Sequence, residues 1–269
     1  MAGGGLRGAL GIVSLVLIGG ALVMMFFVVL SGVKDTTPLN KTWFLRADTS
    51  SFPGAGRAES YWTFWRICAT GGGQCGSTVP ALPFGYAWVG GSEGVPNGLT
   101  GPRGKGTTSN YYYYLWRFGW VFYLMSLVLT SFTFLTSALA PCSRLAAGFS
   151  GAFLAFSLFW FSLAASLMTV VFVKARDEFH DAGISASIGR YAFGFTWGAW
   201  AAMFLATVFL FMGCGVSRKG DDHVRSTKTK RSGGGVLGSI PFFRRQRSKR
   251  SNRGSFVDAE SQHRVKEEY

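Results

Sequence analysis

The chain has 269 residues, 48% of them hydrophobic, 16% aromatic and only 15% charged, with a formal net charge of +14. That composition excludes an ordinary soluble domain with a wetted surface. The charge is also segregated: no Asp, Glu, Lys or Arg falls in the windows 8–33, 118–143, 145–173 and 191–217.

Each window exceeds the roughly 18 to 20 apolar residues that a helix needs to cross about 30 Å of hydrocarbon. A helix also pairs its backbone amides within its own segment, as lipid demands. The expected fold is therefore an all-α membrane protein, a bundle of four transmembrane helices at 9–33, 118–140, 145–173 and 191–214. The first window follows a short N-terminus carrying Arg7, as a signal peptide would. Its apolar run is longer than the about 7 to 15 residues of a signal h-region, so it reads as a retained anchor.

The connection 34–117 is the largest non-membrane segment. Asn40, with Lys41 and Thr42, forms a glycosylation sequon. Aromatic residues gather at Tyr61, Trp62, Phe64 and Trp65, and again at Phe84, Tyr86 and Trp88. The alternation of Trp62, Phe64 and Arg66 against Trp65 and Ile67 suits short strands, which predicts a small antiparallel sheet. Cys68 and Cys75 enclose Gly71, Gly72 and Gly73, whose backbone freedom suits a tight disulfide ring. A metal site would want further ligands, and no His lies nearby. Residues 91–110, rich in Gly, Pro, Ser and Thr, read as a flexible excursion. Tyr111–Tyr114, Trp116 and Trp120 then form an aromatic belt at the start of the second span.

Residues 141–144 make a short turn carrying Cys142 and Arg144. In the third window Ser150, Ser157, Ser162, Ser166 and Thr169 either line a polar path or hydrogen-bond to neighbouring backbone. The second connection, 174–190, places Asp177, Glu178, His180 and Asp181 together, a pattern that reads as a solvated loop under the sheet. Gly194 and Gly198 form a small-residue stripe on the fourth helix, and Gly151 with Ala155 another on the third. Both predict helix contact faces, within the chain or in a homo-oligomer. No Asp, Glu, Lys, Arg or His lies inside any span, which argues against a pump or transporter.

Fourteen of the 27 Lys and Arg lie in the tail 215–269, which places that tail, residues 1–8 and the turn 141–144 on the cytosolic side. The connections 34–117 and 174–190 are then exoplasmic, where Cys68 and Cys75 can oxidise. Cys142 and Cys214 fall at the cytosolic borders, as acylation candidates or plain buried thiols. The tail lacks the composition to fold alone. Its block Arg244, Arg245, Arg247, Lys249 and Arg250 follows the apolar 236–243 stretch, an arrangement suited to anionic inner-leaflet lipid. Ser248, Ser251 and Ser255 among these cations would weaken attachment when phosphorylated. Nucleic acid is not an expected partner of a membrane-tethered tail without a recognition domain.

Trp62-x-x-Trp65-x-x-Cys68, followed by Cys75, resembles the tryptophan and paired-cysteine signature in the first outer loop of claudin-like tetraspans. A closer resemblance is to the fungal Sur-seven and PalI family. It is carried by Pro38-Leu39-Asn40-Lys41-Thr42-Trp43-Phe44-Leu45 after the first span, by the run from Thr169 to Phe179 leaving the third, and by Tyr191-Ala192-Phe193-Gly194-Phe195-Thr196-Trp197 opening the fourth. The resemblance covers about the first 215 residues. It implies a plasma-membrane protein of eisosome-associated compartments that affects endocytosis, lipid balance and cell-wall integrity, or, in the PalI branch, assists ambient pH signalling. Partners so implied are sphingolipid- and sterol-rich membrane and other cortical membrane proteins. His180, His223 and His263 are scattered and make no catalytic constellation, so neither an enzyme nor a cofactor is expected. An adhesion or barrier role through the outer loop is the alternative.

Overall fold

The structure is a computed structural model; it describes residues 2–34, 36–69, 75–138 and 144–215, with side chains at 8–34, 36–69, 75–138 and 145–213. Four helices are long and apolar enough to cross a membrane: α1 (Ala2–Val29), α2 (Asn110–Ser137), α3 (Arg144–Asp181) and α4 (Arg190–Gly215). Four short strands, β1 (Leu45–Asp48), β2 (Glu59–Trp62), β3 (Ile67–Ala69) and β4 (Ala186–Ile188), form one sheet at one end of the bundle. The protein is a multi-pass membrane protein of the expected class, a helix bundle with a small antiparallel sheet.

The bundle is built on a heptad. Along α4 the buried positions run Ala192, Thr196, Ala199, Met203, Ala206 and Leu210, in alternating steps of four and three. The same rhythm appears in α1 at Ser14, Ile18, Ala21, Met25 and Val28, in α2 from Tyr112 to Ser137, and in α3 from Ala147 to Ala175. A period of 3.5 keeps one seam of each helix turned toward its neighbours. Lipid offers no hydrophobic drive for helices to pair, so small side chains that permit close approach dominate these seams.

Helix α1 ends at Val29, short of the expected 33, whereas α2 and α3 run past their expected limits on the cap side for one reason. Helix α2 begins at Asn110 because Tyr112 and Trp116 continue its buried seam beyond the hydrocarbon run, and α3 continues to Asp181 because Phe172, Ala175 and Phe179 do the same. Of the charged residues here Lys174 and Asp177 are exposed, while Glu178 is half-buried against Gly98 of the first connection. The acidic cluster expected in a loop is thus helical. Arg176 pairs with Asp177, and the His180 ring meets the Ala186 carbonyl at 2.7 Å, fastening β4 to the end of α3.

The sheet order is β3-β2-β1-β4, all antiparallel. Leu45 of the central strand stands opposite both Trp62 and Ile188, so the two connections on this side form one cap. Residues 62–67 fall on short strands joined by a turn, as the alternation implied. They are the end of β2, a turn, and the start of β3, closed by Thr63 and Arg66 through Thr63 N to Arg66 O at 2.9 Å.

Candidate functional site: the disulfide-stapled cap

The turn between β2 and β3 sits on the end of the bundle. Trp65 donates its indole N–H to the carbonyl of Val29 at 2.6 Å. That carbonyl ends α1 and would otherwise lack a partner. The Phe64 amide donates to the Ser31 hydroxyl at 3.1 Å, and Trp120 of α2 donates to the Phe64 carbonyl at 3.2 Å. Gly32, at φ +77°, is needed here because any Cβ would overlap the Thr63 hydroxyl.

Aromatic rings fill the space between cap and helices. Phe64 is stacked on Trp120 at 5.6 Å and meets Tyr123 edge-on at 5.5 Å. Phe44 stacks on Phe172 of α3 at 4.9 Å, and Trp116 contacts Phe172 at 5.0 Å. Farther out, Trp62 lies against Phe84 and Phe179 at 5.9 and 6.0 Å and donates to the Phe84 carbonyl at 3.3 Å. Trp62, Trp65, Trp88 and Trp120 thus each find a carbonyl acceptor, as an indole entering an apolar core requires.

Both tryptophans of the outer-loop signature are structural: Trp62 anchors the cap core, and Trp65 ties it to α1. Cys68 and Cys75 are bonded to each other, with Cα atoms 4.0 Å apart, and tie the segment after β3 back onto it. Asn40 is exposed on a 3-10 turn, Leu39–Lys41, while the Thr42 hydroxyl of its sequon is buried and donates to the Pro38 carbonyl at 2.9 Å. Asn40, Lys34, Arg66 and the disulfide line a cleft of about 240 Å³.

Residues 91–110 are not the flexible excursion expected. Leu99 is fully buried and Val95 nearly so. Trp88 donates to the Thr107 carbonyl at 3.1 Å, the Gly85 amide to the Thr108 hydroxyl at 2.8 Å, and the Ser109 amide to the Leu99 carbonyl at 2.9 Å. Its Gly and Pro content shapes tight turns that close over Trp88 rather than a loose strap. Leu99, Trp120 and Phe179 carry the cap although sequence reasoning did not assign them to it. Only Phe179 held a signal, its place on the α3 heptad.

In the bundle Gly151 lies against Leu210 of α4, and Gly198 against Met24 of α1. Gly194 is not part of such a contact, with nothing within 4 Å of a Cβ built on it, so within the chain the expected Gly194–Gly198 pair is not one contact face. It lies off the heptad seam, where Ala192 and Thr196 are buried instead. The α3 hydroxyls separate onto different faces. Ser157 meets Thr130 of α2 at 2.7 Å, while Ser162 and Thr169 bond to their own helix and accept from Trp200 and Trp197. That division fits packing rather than a polar path. Cys142 and the tail cations Arg244, Arg245, Arg247, Lys249 and Arg250 lie outside the described residues, as does the Cys214 side chain.

Fold and site together define a class: a four-span membrane protein whose two connections on one side merge into a single disulfide-stapled sheet. The chain belongs to the SUR7/PalI family, whose model matches residues 10–209. It is 30% identical over 219 residues to Protein SUR7 of Candida albicans, covering 81% of this chain and 78% of that one. To the SUR7 family protein FMP45 of Saccharomyces cerevisiae it is 32% identical over 213 residues, covering 70% of this chain and 63% of the relative. A plasma membrane protein of the same yeast, YNL194C, is 30% identical over 200 residues, with 72% and 62% covered. The chain spans a little under two thirds of these two yeast relatives.

Proposed function

We propose that this chain is a non-enzymatic plasma-membrane organiser, holding an eisosome-type cortical domain through its bundle and its basic tail, with effects on endocytosis, lipid organisation and cell-wall integrity. The observation that carries the reading is the family match over residues 10–209, together with a relative named as a plasma membrane protein. In this reading both termini are cytosolic and the cap is exoplasmic, which agrees with a disulfide in the cap.

The tail follows the matched region and brings fourteen cations to the inner leaflet. Each is worth about 1 kcal/mol near an anionic surface. Sphingolipid- and sterol-rich membrane and neighbouring cortical proteins are the partners this reading supplies. The test is imaging of the tagged full chain beside a form with Arg244, Arg245, Arg247, Lys249 and Arg250 changed to Gln. Stable cortical patches that disperse in the altered form support the organiser. Uniform distribution of both forms overturns it, and directs attention to adhesion through the cap or to a PalI-like role in pH signalling.

A further inference from the structure

At the membrane edge of the cap, a cleft of about 290 Å³ lies between the 3-10 turn and the start of α4, lined by Lys41, Trp43, Ser187, Ile188, Arg190 and Tyr191. Two of the six lining residues are cations and none is a carboxylate. A second cleft, farther along β1, has the opposite character: there Arg46 sits with Asp48 and Glu59 and is ion-paired to Glu59. The register explains the separation. Leu45, opposite Ile188, is the bundle end of the strand, and Asp48, opposite Glu59, is the far end. Among the described residues, the cleft beside the bundle end of the sheet therefore carries cations without a carboxylate in its lining, while the acids of the sheet, Asp48 and Glu59, lie at its far end.

Four arginines of the cap are engaged, Arg46 with Glu59, Arg57 with the Ile67 carbonyl, Arg66 with Thr78 and Arg103 with Asn110, and Lys34 lines the separate cleft beside the disulfide. Among the described residues, neither Lys41 nor Arg190 has a side-chain hydrogen bond or ion pair. The backbone beneath them is held closely. Gly189 donates to the Phe44 carbonyl at 3.0 Å, and a Cβ at Gly189 would overlap the Trp43 carbonyl. The two cations are therefore carried on a fixed floor, one on each side of the cleft.

We propose that this cleft binds the phosphate of a lipid headgroup in the leaflet on the cap side. Lys41 and Arg190 meet the phosphate, while Trp43, Ile188 and Tyr191 contact the glycerol and upper acyl region. Arg190 and Tyr191 open the segment Arg190–Gly213 that crosses the membrane, the depth at which headgroups lie and at which Trp and Tyr concentrate. A free anion would use the cations alone. The apolar and aromatic walls favour an amphiphile, and the position brings the headgroup to them without removing the lipid from its leaflet.

None of the lining residues belongs to the tail, so the test uses the full chain with the five tail cations already changed to Gln. Soluble dioctanoyl phosphatidylinositol is titrated into the purified protein, with dioctanoylglycerol and inorganic phosphate as comparison ligands. Changing Lys41→Gln and Arg190→Gln together weakens phosphatidylinositol binding about 25-fold, taking a factor of about five for each surface cation. Lys41→Arg with Arg190→Lys retains binding. Equal affinity before and after neutralisation overturns the proposal. So does dioctanoylglycerol binding as tightly as the phospholipid, or inorganic phosphate doing so, which would mark a free-anion site. A photoreactive headgroup on the unaltered pair gives a readout that does not depend on the variants folding. Labelling at residues 41–43 or 187–191 supports the site, and labelling confined elsewhere overturns it.

Discussion

The bundle and the cap are held by different means. Within the bundle the seams are rich in Ala, Ser, Thr and Met at a 3.5-residue repeat, and most hydroxyls bond within one turn of their own helix, as Ser162 does to Leu158 and Thr207 to Met203. The cap has little local structure. Its strands are three or four residues long, and its fastening depends on contacts between residues far apart in the chain, such as Trp65 with Val29 and Trp120 with Phe64. In lipid, where burial itself gives helices no advantage, closeness of approach decides stability. In water, short strands need a shared apolar core to persist. The aromatic layer on top of the helices is that core.

The difference can be broken most directly at Phe64, which is fully buried between the cap turn and α2. Phe64→Ala should cost about 3–5 kcal/mol, the range for losing a buried phenyl ring. The loss should appear in the cap first. Limited proteolysis of the purified chain should open sites in 45–110 while far-ultraviolet circular dichroism retains the helical signal. Equal loss of both would mean that cap and bundle unfold as one unit.

A smaller effect tests the seam. Gly151→Leu pushes into Leu210 and Phe211 of α4 and should destabilise the bundle by about 1–3 kcal/mol through overpacking. Gly194→Leu faces open space and should leave the thermal midpoint unchanged. If Gly194→Leu instead abolishes a homo-oligomer seen by crosslinking, that glycine serves contact between copies.

The smallest effect sharpens the description of the cap surface. Asp48 accepts from the Ser50 hydroxyl at 2.7 Å and the Ser50 amide at 2.9 Å, and these bonds hold its carboxyl below the usual carboxylate range, the hydroxyl contributing most. Because the folded state binds this proton less tightly than the unfolded state, the associated stability is present above the unfolded Asp value of about 3.9 and is lost as pH falls through the lower folded value. Between about pH 5 and about pH 3 the parent chain should therefore lose slightly more thermal stability than Asp48→Asn. Identical slopes would show that the Ser50 contacts contribute nothing measurable at so exposed a site.

Much of the architecture is legible in the amino-acid sequence, and the reason is local. A run such as 145–173 without a charge has one stable form in lipid, so span number and helix identity follow from composition. The pairing of Cys68 with Cys75 is similarly accessible, because seven positions separate them and few partners compete. Helix ends are less so. Lys174 and Arg176 suggest a boundary, whereas Phe172, Ala175 and Phe179 continue the seam, and periodicity outweighs charge. The Gly194–Gly198 spacing matches a contact motif, but which face of α4 meets α1 and α3 is set by all the neighbouring side chains at once.

The four spans, the small sheet, the paired cysteines and the family are therefore readable from local pattern and motif. Long-range packing settles the rest: β4 from the second connection completes the sheet, residues 91–110 close over Trp88, and Lys41 and Arg190 share a cleft whose lining has no carboxylate. Periodicity and hydropathy report a residue's relation to its near neighbours and its solvent, and those are encoded within a few turns of chain. The cleft depends on a strand register that brings residues 41 and 190 to one edge, and a register between distant segments is settled only when both are packed on the same core.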